Sequence, residues 1–304
     1  MTYVFAAIGV PGATSTSVGG VNDFGLIVGS YTDHAGHSHG FVDNHGSFAT
    51  IDVPGATGTA ATGLNNFGEI VGHFFDKSGH EYGFLDNHGH FTTLDVPGSL
   101  ATDAAAINDW GQVAGTYQAP ASGPSHDGLQ PQPTSNVFEY SGGAFTTLVH
   151  GSNYGIGGIS APRAGGINDR SQVVGTTERA PANFPYGWLY DHGTTRTVPD
   201  PSALPQYTIA FGANGINNLG QVVGYTAGTA TGASSENRFG YVDTYGHVTQ
   251  VIVPGATDTT VNGLNDWGLM VGDSSKGAFV AAPSAVLLTA SNVLGPGTPQ
   301  FITG

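Results

Sequence analysis

Cysteine is absent from this chain, and positive charge is scarce. Without cysteine there is no disulfide framework and no thiolate chemistry. Seven Lys and Arg against 22 Asp and Glu give a net charge of −15. Nucleic acids and anionic membranes are bound chiefly through cationic side chains, so this composition argues against both as partners. Cations, neutral glycans and basic surfaces remain open.

Helical periodicity and a targeting segment are also missing. No stretch sustains a helical pattern, so a parallel α/β fold would lack its crossover helices. Met1 leads directly into a strand-like segment with no basic leader and no small-residue cleavage site, so we predict neither a signal peptide nor a membrane span. Glycine is abundant, at 49 of 304 residues, but the 39% apolar content and a strict repeat favour a folded, turn-rich β protein.

The repeat dominates the chain. Its segment Gly63 to Gly72, which reads Gly-Leu-Asn-Asn-Phe-Gly-Glu-Ile-Val-Gly, occurs in six related copies. The Asn-Asp or Asn-Asn pairs of these copies begin at Asn22, Asn65, Asn108, Asn168, Asn217 and Asn265. Successive starts are 43, 43, 60, 49 and 48 residues apart. This period lies near the roughly 40–45 residues of a propeller blade.

Each copy supplies four strand-length runs. In the second unit these are residues 59–64, 69–75, 82–85 and 91–96, bounded by Gly, Asn, Asp or Pro. Asn, Asp and Gly tolerate the positive φ of tight hairpin turns, so consecutive runs should pair as antiparallel strands. Radial repetition of such sheets hides nearly every edge, which a flat sandwich would expose. The sequence therefore predicts an all-β, six-bladed β-propeller of four-stranded antiparallel blades.

The two ends of the chain predict how the ring closes. Residues 3–12 read as a fourth strand, because Val-Pro-Gly at 10–12 matches Val-Pro-Gly at 53–55. The last unit offers only a third-strand candidate, residues 277–280. We therefore expect the N-terminal strand to complete the last blade. One propeller should span residues 1–283, followed by a capping or linking tail over 284–304.

These motifs resemble a known family. The alternation of Gly-(Ile/Leu)-Asn-(Asp/Asn)-x-Gly-x-(Ile/Val)-Val-Gly with Gly-Phe-Leu and Phe-Thr-Thr-Leu-Asp-Val-Pro-Gly is similar to the bacterial extracellular repeats of the HAF family. The His-Ala-Phe signature corresponds here to His39-Gly40-Phe41, and the likeness covers roughly residues 3–283. It implies an exported bacterial propeller at the cell surface or outside the cell, with no catalytic residues to carry over.

Residues repeated in every unit have a structural interpretation first. The Asn-Asp-x-Gly turns could coordinate a cation, but their recurrence favours a hairpin lock. One strand position is aromatic in five units and is expected to pack between blades, through Phe41, Phe84, Phe138, Trp188 and Tyr241.

Function is expected where the copies differ, because a rigid scaffold presents its variable loops at one rim. Five residues before the repeated Asn, the inner strands carry Ser17, Ala60, Asp103, Arg163, Gly212 and Thr260. Asp103 and Arg163 stand out on adjacent blades, and an Arg fork suits a ligand carboxylate. A structural ion pair that plugs the channel is the alternative.

Aromatic and basic side chains in the variable segments are further candidates for ligand binding. Tyr154, Tyr207 and Phe211 lie in the two longest entries to inner strands, and Arg179 lies in a connection on the same face. Aromatic rings at a channel mouth suit stacking on sugars, although loop packing explains them equally well.

Histidines give a metal-site hypothesis. His34, His37 and His39 lie close together beside Asp33, and His80 occupies the equivalent loop of the next unit. Imidazole and carboxylate are ligands of zinc and similar ions, so a divalent cation, zinc or calcium, is the candidate cofactor. Plain surface histidines are the alternative.

Two functions from different classes follow. The first is a secreted, monomeric binding module whose channel mouth recognises a glycan, a small molecule or a protein. The second is a polysaccharide- or ester-cleaving enzyme, a lyase or hydrolase, using Asp103, Arg163, Tyr154 and a rim histidine.

Overall fold

The computed structural model describes residues 2–122, 131–151, 159–179, 184–199, 208–228 and 237–284. The strands described there number 24 and form six four-stranded sheets. Tyr154, Tyr207 and the tail over 285–304 lie outside the described residues.

Each sheet is one blade. The first three blades comprise β2 (Ser15–Val21), β3 (Leu26–Thr32), β4 (Ser38–Asn44) and β5 (Ser47–Ile51); β6 (Gly58–Leu64), β7 (Glu69–Phe75), β8 (Glu81–Asn87) and β9 (His90–Leu94); and β10 (Ala101–Ile107), β11 (Val113–Ala119), β12 (Thr134–Ser141) and β13 (Ala144–His150). The last three comprise β14 (Ile159–Ile167), β15 (Val173–Arg179), β16 (Phe184–Asp191) and β17 (Thr194–Thr197); β18 (Thr208–Ile216), β19 (Val222–Gly228), β20 (Asn237–Thr244) and β21 (His247–Val251); and β22 (Thr259–Leu264), β23 (Met270–Ser274) and β24 (Gly277–Pro283) with β1 (Tyr3–Ala7).

The first strand of every blade is innermost, and the inner strands contact one another around the whole ring, from β2 through to β22 and back to β2. β1 pairs antiparallel with β24, with Phe5 opposite Ala281. Ser284 N donates to Thr2 O at 3.0 Å, so residues near both ends of the propeller meet. The predicted six-bladed fold and its closure by the N-terminal strand are confirmed.

Each inner strand carries a register shift against the second strand of its blade. The shift common to all six blades leaves one residue unpaired, as in a β-bulge, which turns that residue out of the ladder. β14 and β18 each carry a second shift nearer their first residue. The bulge residues line the central channel: Gly19, Thr62, Ala105, Gly165, Asn214 and Asn262. Neighbouring inner strands approach closely at the residue after the bulge. In the second blade this residue is Gly63, where a Cβ would lie 2.9 Å from Ala106 Cα.

The core lies between blades, as the recurring aromatic position predicts. Phe41, Phe84, Phe138, Trp188 and Tyr241 are all 0% exposed. Each second strand passes the inner strand at a glycine where a side chain does not fit. A Cβ on Gly72, for example, would lie 2.0 Å from Ala60 O and 2.8 Å from the Phe84 ring. The glycine of the repeated (Ile/Val)-Val-Gly segment therefore allows close packing of the strands and of the aromatic ring.

Candidate functional site

The channel has two unlike mouths. At the upper mouth the inner strands begin, and at the lower mouth they end in the Asn-Asp turns. The cavity along the channel measures about 110 Å³. Pockets for small-molecule ligands are usually about 300–1,000 Å³, so a ligand of that size must bind at a mouth rather than inside the channel.

Repeated asparagines form a closed circuit of hydrogen bonds around the channel near its lower mouth. Asn22 Nδ2 donates to Asn65 O, and the same bond recurs between all successive blades at 3.0–3.1 Å, ending with Asn265 to Asn22 O. In five of the six turns the Asn Oδ1 also accepts two backbone N–H bonds of its own turn, as Asn65 does from Phe67 and Glu69, and Asn217 accepts one, from Gln221. This circuit supports the interpretation of the repeated turns as locks rather than as ligands.

The upper mouth carries the variable side chains. The residue after the repeated glycine of each second strand differs from blade to blade, and these residues are Ser30, His73, Thr116, Thr176, Tyr225 and Asp273. Several of them reach the inner strand of the next blade. Thr116 Oγ1 accepts from Ala164 N at 3.0 Å, Thr176 Oγ1 accepts from Ala213 N at 3.2 Å, and Asp273 accepts from the Ser17 hydroxyl at 2.7 Å.

His73 uses the same position to join the second and third blades. Its Nδ1 lies 3.1 Å from Asp103 Oδ1, and both side chains remain partly exposed, at 26% and 34%. Glu81 completes the group, because one potential ligand atom from each of His73, Glu81 and Asp103 lies within 4.8 Å of the other two. One imidazole and two carboxylates could hold a divalent cation with an open coordination position.

Burial and neighbouring charges shift the pKa values of His73 and Glu81. Burial lowers the pKa of His73, but the hydrogen bond and charge of Asp103, with the charge of Glu81, outweigh it and raise the pKa above its usual value. Burial raises the pKa of Glu81, and the charge of Asp103 adds to that rise against the opposing charges of His73 and Arg163. Both shifts favour the protonated form, in which His73 and Glu81 can each donate a hydrogen bond.

A second depression lies two blades further on. It has a volume of about 260 Å³ and is lined by Arg163, Ala164, Gly165, Thr176, Ala213, Asn214 and Tyr225. Gly212 has no room for a side chain, since a Cβ there would lie 2.5 Å from the Tyr225 ring. The Arg238 guanidinium sits 5.0 Å from the centroid of the same ring. The Arg163 guanidinium and the Tyr225 ring therefore line one hollow.

Asp103 and Arg163 do not form the ion pair considered from the sequence. In the part of the chain that the structure describes, the salt-bridge partner of Asp103 is His73, and Arg163 is exposed. Both still act on one group, because the pKa of Glu81 responds to their charges. The interpretation of a buried plug is therefore wrong, and the placement of both side chains at the upper mouth stays open to ligand binding.

The histidine loop forms a separate cluster between β3 and β4. Asp33 Oδ2 lies 3.3 Å from His37 Nδ1 and 3.5 Å from His39 Nε2. Backbone hydrogen bonding from His37, aided by bonds from His39 and Ala35, lowers the pKa of Asp33 to about 2. The hydrogen bond to Asp52 raises the pKa of His39. Asp33, His37 and His39 together could hold a metal ion.

The other predicted residues are dispersed. His34 is exposed and outside that cluster, and His80 packs on Tyr82 with ring centroids 4.4 Å apart. Phe211 is half-buried in β18. Arg179 ends β15, and its side chain lies outside the described part of the structure, as do Tyr154 and Tyr207.

Sequence reasoning missed His73, Glu81 and Tyr225. A signal was present for His73 and Tyr225, because they follow the repeated glycine at a position that is occupied by five different residue types in the six copies. Only the ring arrangement, however, shows that this position faces the next blade. Glu81, at the start of β8, has no such signal.

No family model and no curated protein matches the chain. Solved structures do. A variant of AofleA from Arthrobotrys oligospora matches 92% of this chain and 86% of its own, with a TM-score of 0.50 and 11% identity. A variant Aleuria aurantia lectin in complex with Fucα1-6GlcNAc matches 87% of this chain and 90% of its own, with a TM-score of 0.49 and 10% identity. The propeller domain of the Trilobed protease from Pyrococcus furiosus matches 89% of this chain and 96% of its own, with a TM-score of 0.47 and 9% identity.

At such identities the likeness shows the fold alone. Within the described residues, no helix is long and apolar enough to cross a membrane.

Proposed function

We propose that this chain is an exported binding propeller that recognises a carbohydrate at the upper mouth, through His73, Glu81, Asp103, Arg163 and Tyr225. One observation carries the proposal: the side chains that differ between otherwise repeated blades gather at one end of the channel. Such placement is typical of ligand recognition on a rigid scaffold. The support comes from the residues of this chain, since the structural neighbours share only its fold.

The chemistry of the mouth suits sugar hydroxyls. The Asp103 carboxylate accepts hydrogen bonds, the exposed Arg163 guanidinium donates them, and Tyr225 supplies a ring for stacking beside the 260 Å³ hollow. Arg163 would also pair with a sugar carboxylate in a planar, bidentate fashion. Acidic oligosaccharides are therefore expected to bind more tightly than neutral ones.

A glycan array followed by calorimetric titration of the best ligand tests this proposal. Arg163→Ala and His73→Ala should each weaken binding at least tenfold, which corresponds to about 1.4 kcal/mol. Arg196→Ala is the matched control, because Arg196 is exposed on the outermost strand β17. Binding that is absent for every glycan, or equal in all variants, would overturn the proposal.

The raised pKa values of His73 and Glu81 favour an enzyme as the second candidate. This enzyme would be a lyase or hydrolase acting on a polysaccharide or ester. Environments that push the pKa values of neighbouring groups in useful directions are typical of acid and base catalysts. The test measures turnover of acidic and neutral polysaccharides by the wild type and two variants. If the chain is such an enzyme, Glu81→Gln and His73→Ala should abolish turnover and keep the thermal stability of the wild type. Full turnover in Glu81→Gln would rule it out.

Export and membership of the bacterial HAF repeat family are also part of the proposal, supported by the repeat motifs. Fractionation of the bacterium that encodes the chain should place the protein at the cell surface or in the medium. Recovery from the cytoplasm alone would contradict it.

A further inference from the structure

The lower mouth is surrounded by exposed apolar side chains. The third residue of each Asn-Asp-x-Gly or related turn is Phe24, Phe67, Trp110, Arg170, Leu219 or Trp267. The five apolar members, called the collar here, are 66%, 66%, 75%, 50% and 68% exposed in that order. Arg170 interrupts the collar, and its guanidinium lies beside Gly220 of the next blade.

Turn geometry does not account for these side chains. In four of the five, the backbone N–H donates to the Asn Oδ1 of the turn, as Trp110 N does at 3.1 Å, and any residue other than proline could do this. Two of the three tryptophans of the chain are in the collar, whereas Trp188 is fully buried. Clustered exposed apolar residues mark interaction sites, and tryptophan is enriched at binding hot spots.

Part of the collar is held in place. Trp110 Nε1 donates to Asp169 O of the next blade at 3.1 Å, which fixes the indole across the boundary between the third and fourth blades. A fixed aromatic side chain loses little conformational entropy when a partner binds, so it contributes more of its contact energy.

Inside the collar lies a ring of four aspartates and two asparagines, called the carboxylate ring here. Its members follow the repeated Asn and are Asp23, Asn66, Asp109, Asp169, Asn218 and Asp266. Each backbone N–H donates to the Oδ1 of the next member, at 2.8–2.9 Å, around the whole ring. Asn66 Nδ2 bridges Asp23 and Asp109, and Asn218 Nδ2 donates to Asp169.

These bonds leave the negative charge unbalanced. The salt bridges within the described residues are all histidine–aspartate pairs, and none of them includes a carboxylate of this ring. Burial and the charges of Asp23 and Asp169 also raise the pKa of Asp266, which shows that like charges crowd one another here. A cation placed over the ring would relieve this repulsion.

We propose that the collar docks a basic segment of a partner protein, with apolar residues on the aromatic rings and one Lys or Arg side chain directed at the carboxylate ring. Charge complementarity selects this occupant. A second copy of this chain would bring carboxylates against carboxylates, each copy carrying a net charge of −15. The 110 Å³ channel beneath admits a slender alkyl-ammonium chain far more readily than a sugar ring.

Fluorescence and calorimetry of the full chain test the proposal. The probe is a short capped peptide of glycines and leucines around one lysine, compared with an analogue carrying norleucine instead of lysine. Binding of the lysine peptide should shift the emission of the collar tryptophans, weaken as salt is added, and fall at least tenfold for the norleucine analogue.

Three variants place the site. Trp267→Ser and Asp109→Asn should each weaken peptide binding at least tenfold. Asp109→Asn recreates the Asn-Asn turn that the second blade already contains at Asn65 and Asn66, so it is expected to fold. Leu100→Ser is the matched control, because Leu100 is 45% exposed near the upper mouth, and it should leave binding unchanged.

Other occupants are outcomes of the same experiment. Equal binding of the two peptides, or no binding, would overturn the proposal. So would self-association that disappears in Trp267→Ser, or neutral oligosaccharide binding that Trp267→Ser abolishes. None of these results depends on the upper mouth, so the two proposals fail separately.

Discussion

His73 is controlled by side chains from two blades and shows how the upper mouth works at the scale of single residues. Its own blade buries the imidazole, while Asp103 of the next blade supplies the hydrogen bond and the charge that favour protonation. Removing the Asp103 charge leaves only the charge of Glu81 to oppose the effect of burial on the pKa of His73.

Asp103→Asn should therefore lower the pKa of His73, because the effect of burial then prevails. An NMR titration of the His73 ring protons measures this shift. Asp191→Asn, which removes the partner of His192 at the other end, is the control and should leave His73 unchanged. An unaltered His73 titration in Asp103→Asn would contradict the assignment.

The raised pKa of His73 also determines how stability depends on pH. A histidine whose pKa is higher in the folded state than its usual value of 6.5 stabilises the fold fully below that value. The contribution is lost as the pH rises through the folded-state pKa. Urea unfolding should thus show that the difference in the free energy of unfolding between wild type and Asp103→Asn becomes smaller as the pH rises above 6.5.

Two of the five residues of the upper-mouth site were accessible from the sequence. Asp103 and Arg163 were found because both are charged at a position where other copies are uncharged. His73 was not, because its partner lies in another blade, and a residue offset within one repeat says nothing about which neighbouring strand a side chain faces.

At the scale of elements, the Asn-Asp turn links a hairpin to its neighbouring blade. Asn65 Oδ1 accepts two N–H bonds inside its own turn, and Nδ2 donates to Asn108 O across the blade boundary. Asn65 is only 3% exposed, so water cannot replace these partners.

Asn65→Ala should destabilise the protein, since each buried polar group left without a partner costs about 1–3 kcal/mol. Asn65→Asp keeps the acceptor but turns a carboxylate towards Glu69 Oε2 and Asn108 O, which accept from Nδ2 in the wild type, so its cost should be at least as large. Phe67→Ser in the same turn is the control and should stay within about 0.5 kcal/mol, because Phe67 is 66% exposed. Urea denaturation measures all three, and equal stability of Asn65→Ala and wild type would refute the locking role.

Strand bounds followed well from the sequence, and bulges did not. The predicted run 69–75 is strand β7 as observed, because polar turns delimit it on both sides. The bulge beside Ala105 has no turn residue to announce it. It arises where inner strands of neighbouring blades nearly touch, and that approach is a property of the closed ring.

The whole molecule depends on the seam at the last blade. β1 covers the otherwise open edge of β24, and Phe5, at 7% exposure, packs into the core of that blade against Phe279 with ring centroids 5.7 Å apart. An uncovered edge would leave unpaired backbone groups and invite association with other chains.

Phe5→Ala should cost about 3–5 kcal/mol, the usual range for removing a buried aromatic side chain. Ala7→Ser on the same strand is the control, because Ala7 is exposed. Deletion of residues 1–9 should abolish cooperative unfolding, and adding those residues back as a peptide should restore part of it. Thermal melts that remain unchanged after the deletion would show that the strand does not close the ring.

The global fold was the most predictable level. Six copies of one turn and strand pattern give the blade number, and the Val-Pro-Gly match between the first residues and the blade ends gives the closure. The collar was missed because its residues belong to the repeat. Trp110 and Trp267 occur in repeated turns, and repetition was interpreted as a sign of structure alone.

The hydrogen bond between Thr2 and Ser284 means that the covalent chain almost completes a circle. A short linker between these residues, with new ends cut at the hairpin turn around Gly46, would give a circular permutant in which the seam moves to the first blade. Such a protein should retain the same fold, since blade order around the axis, and not the starting point of translation, determines which residues meet.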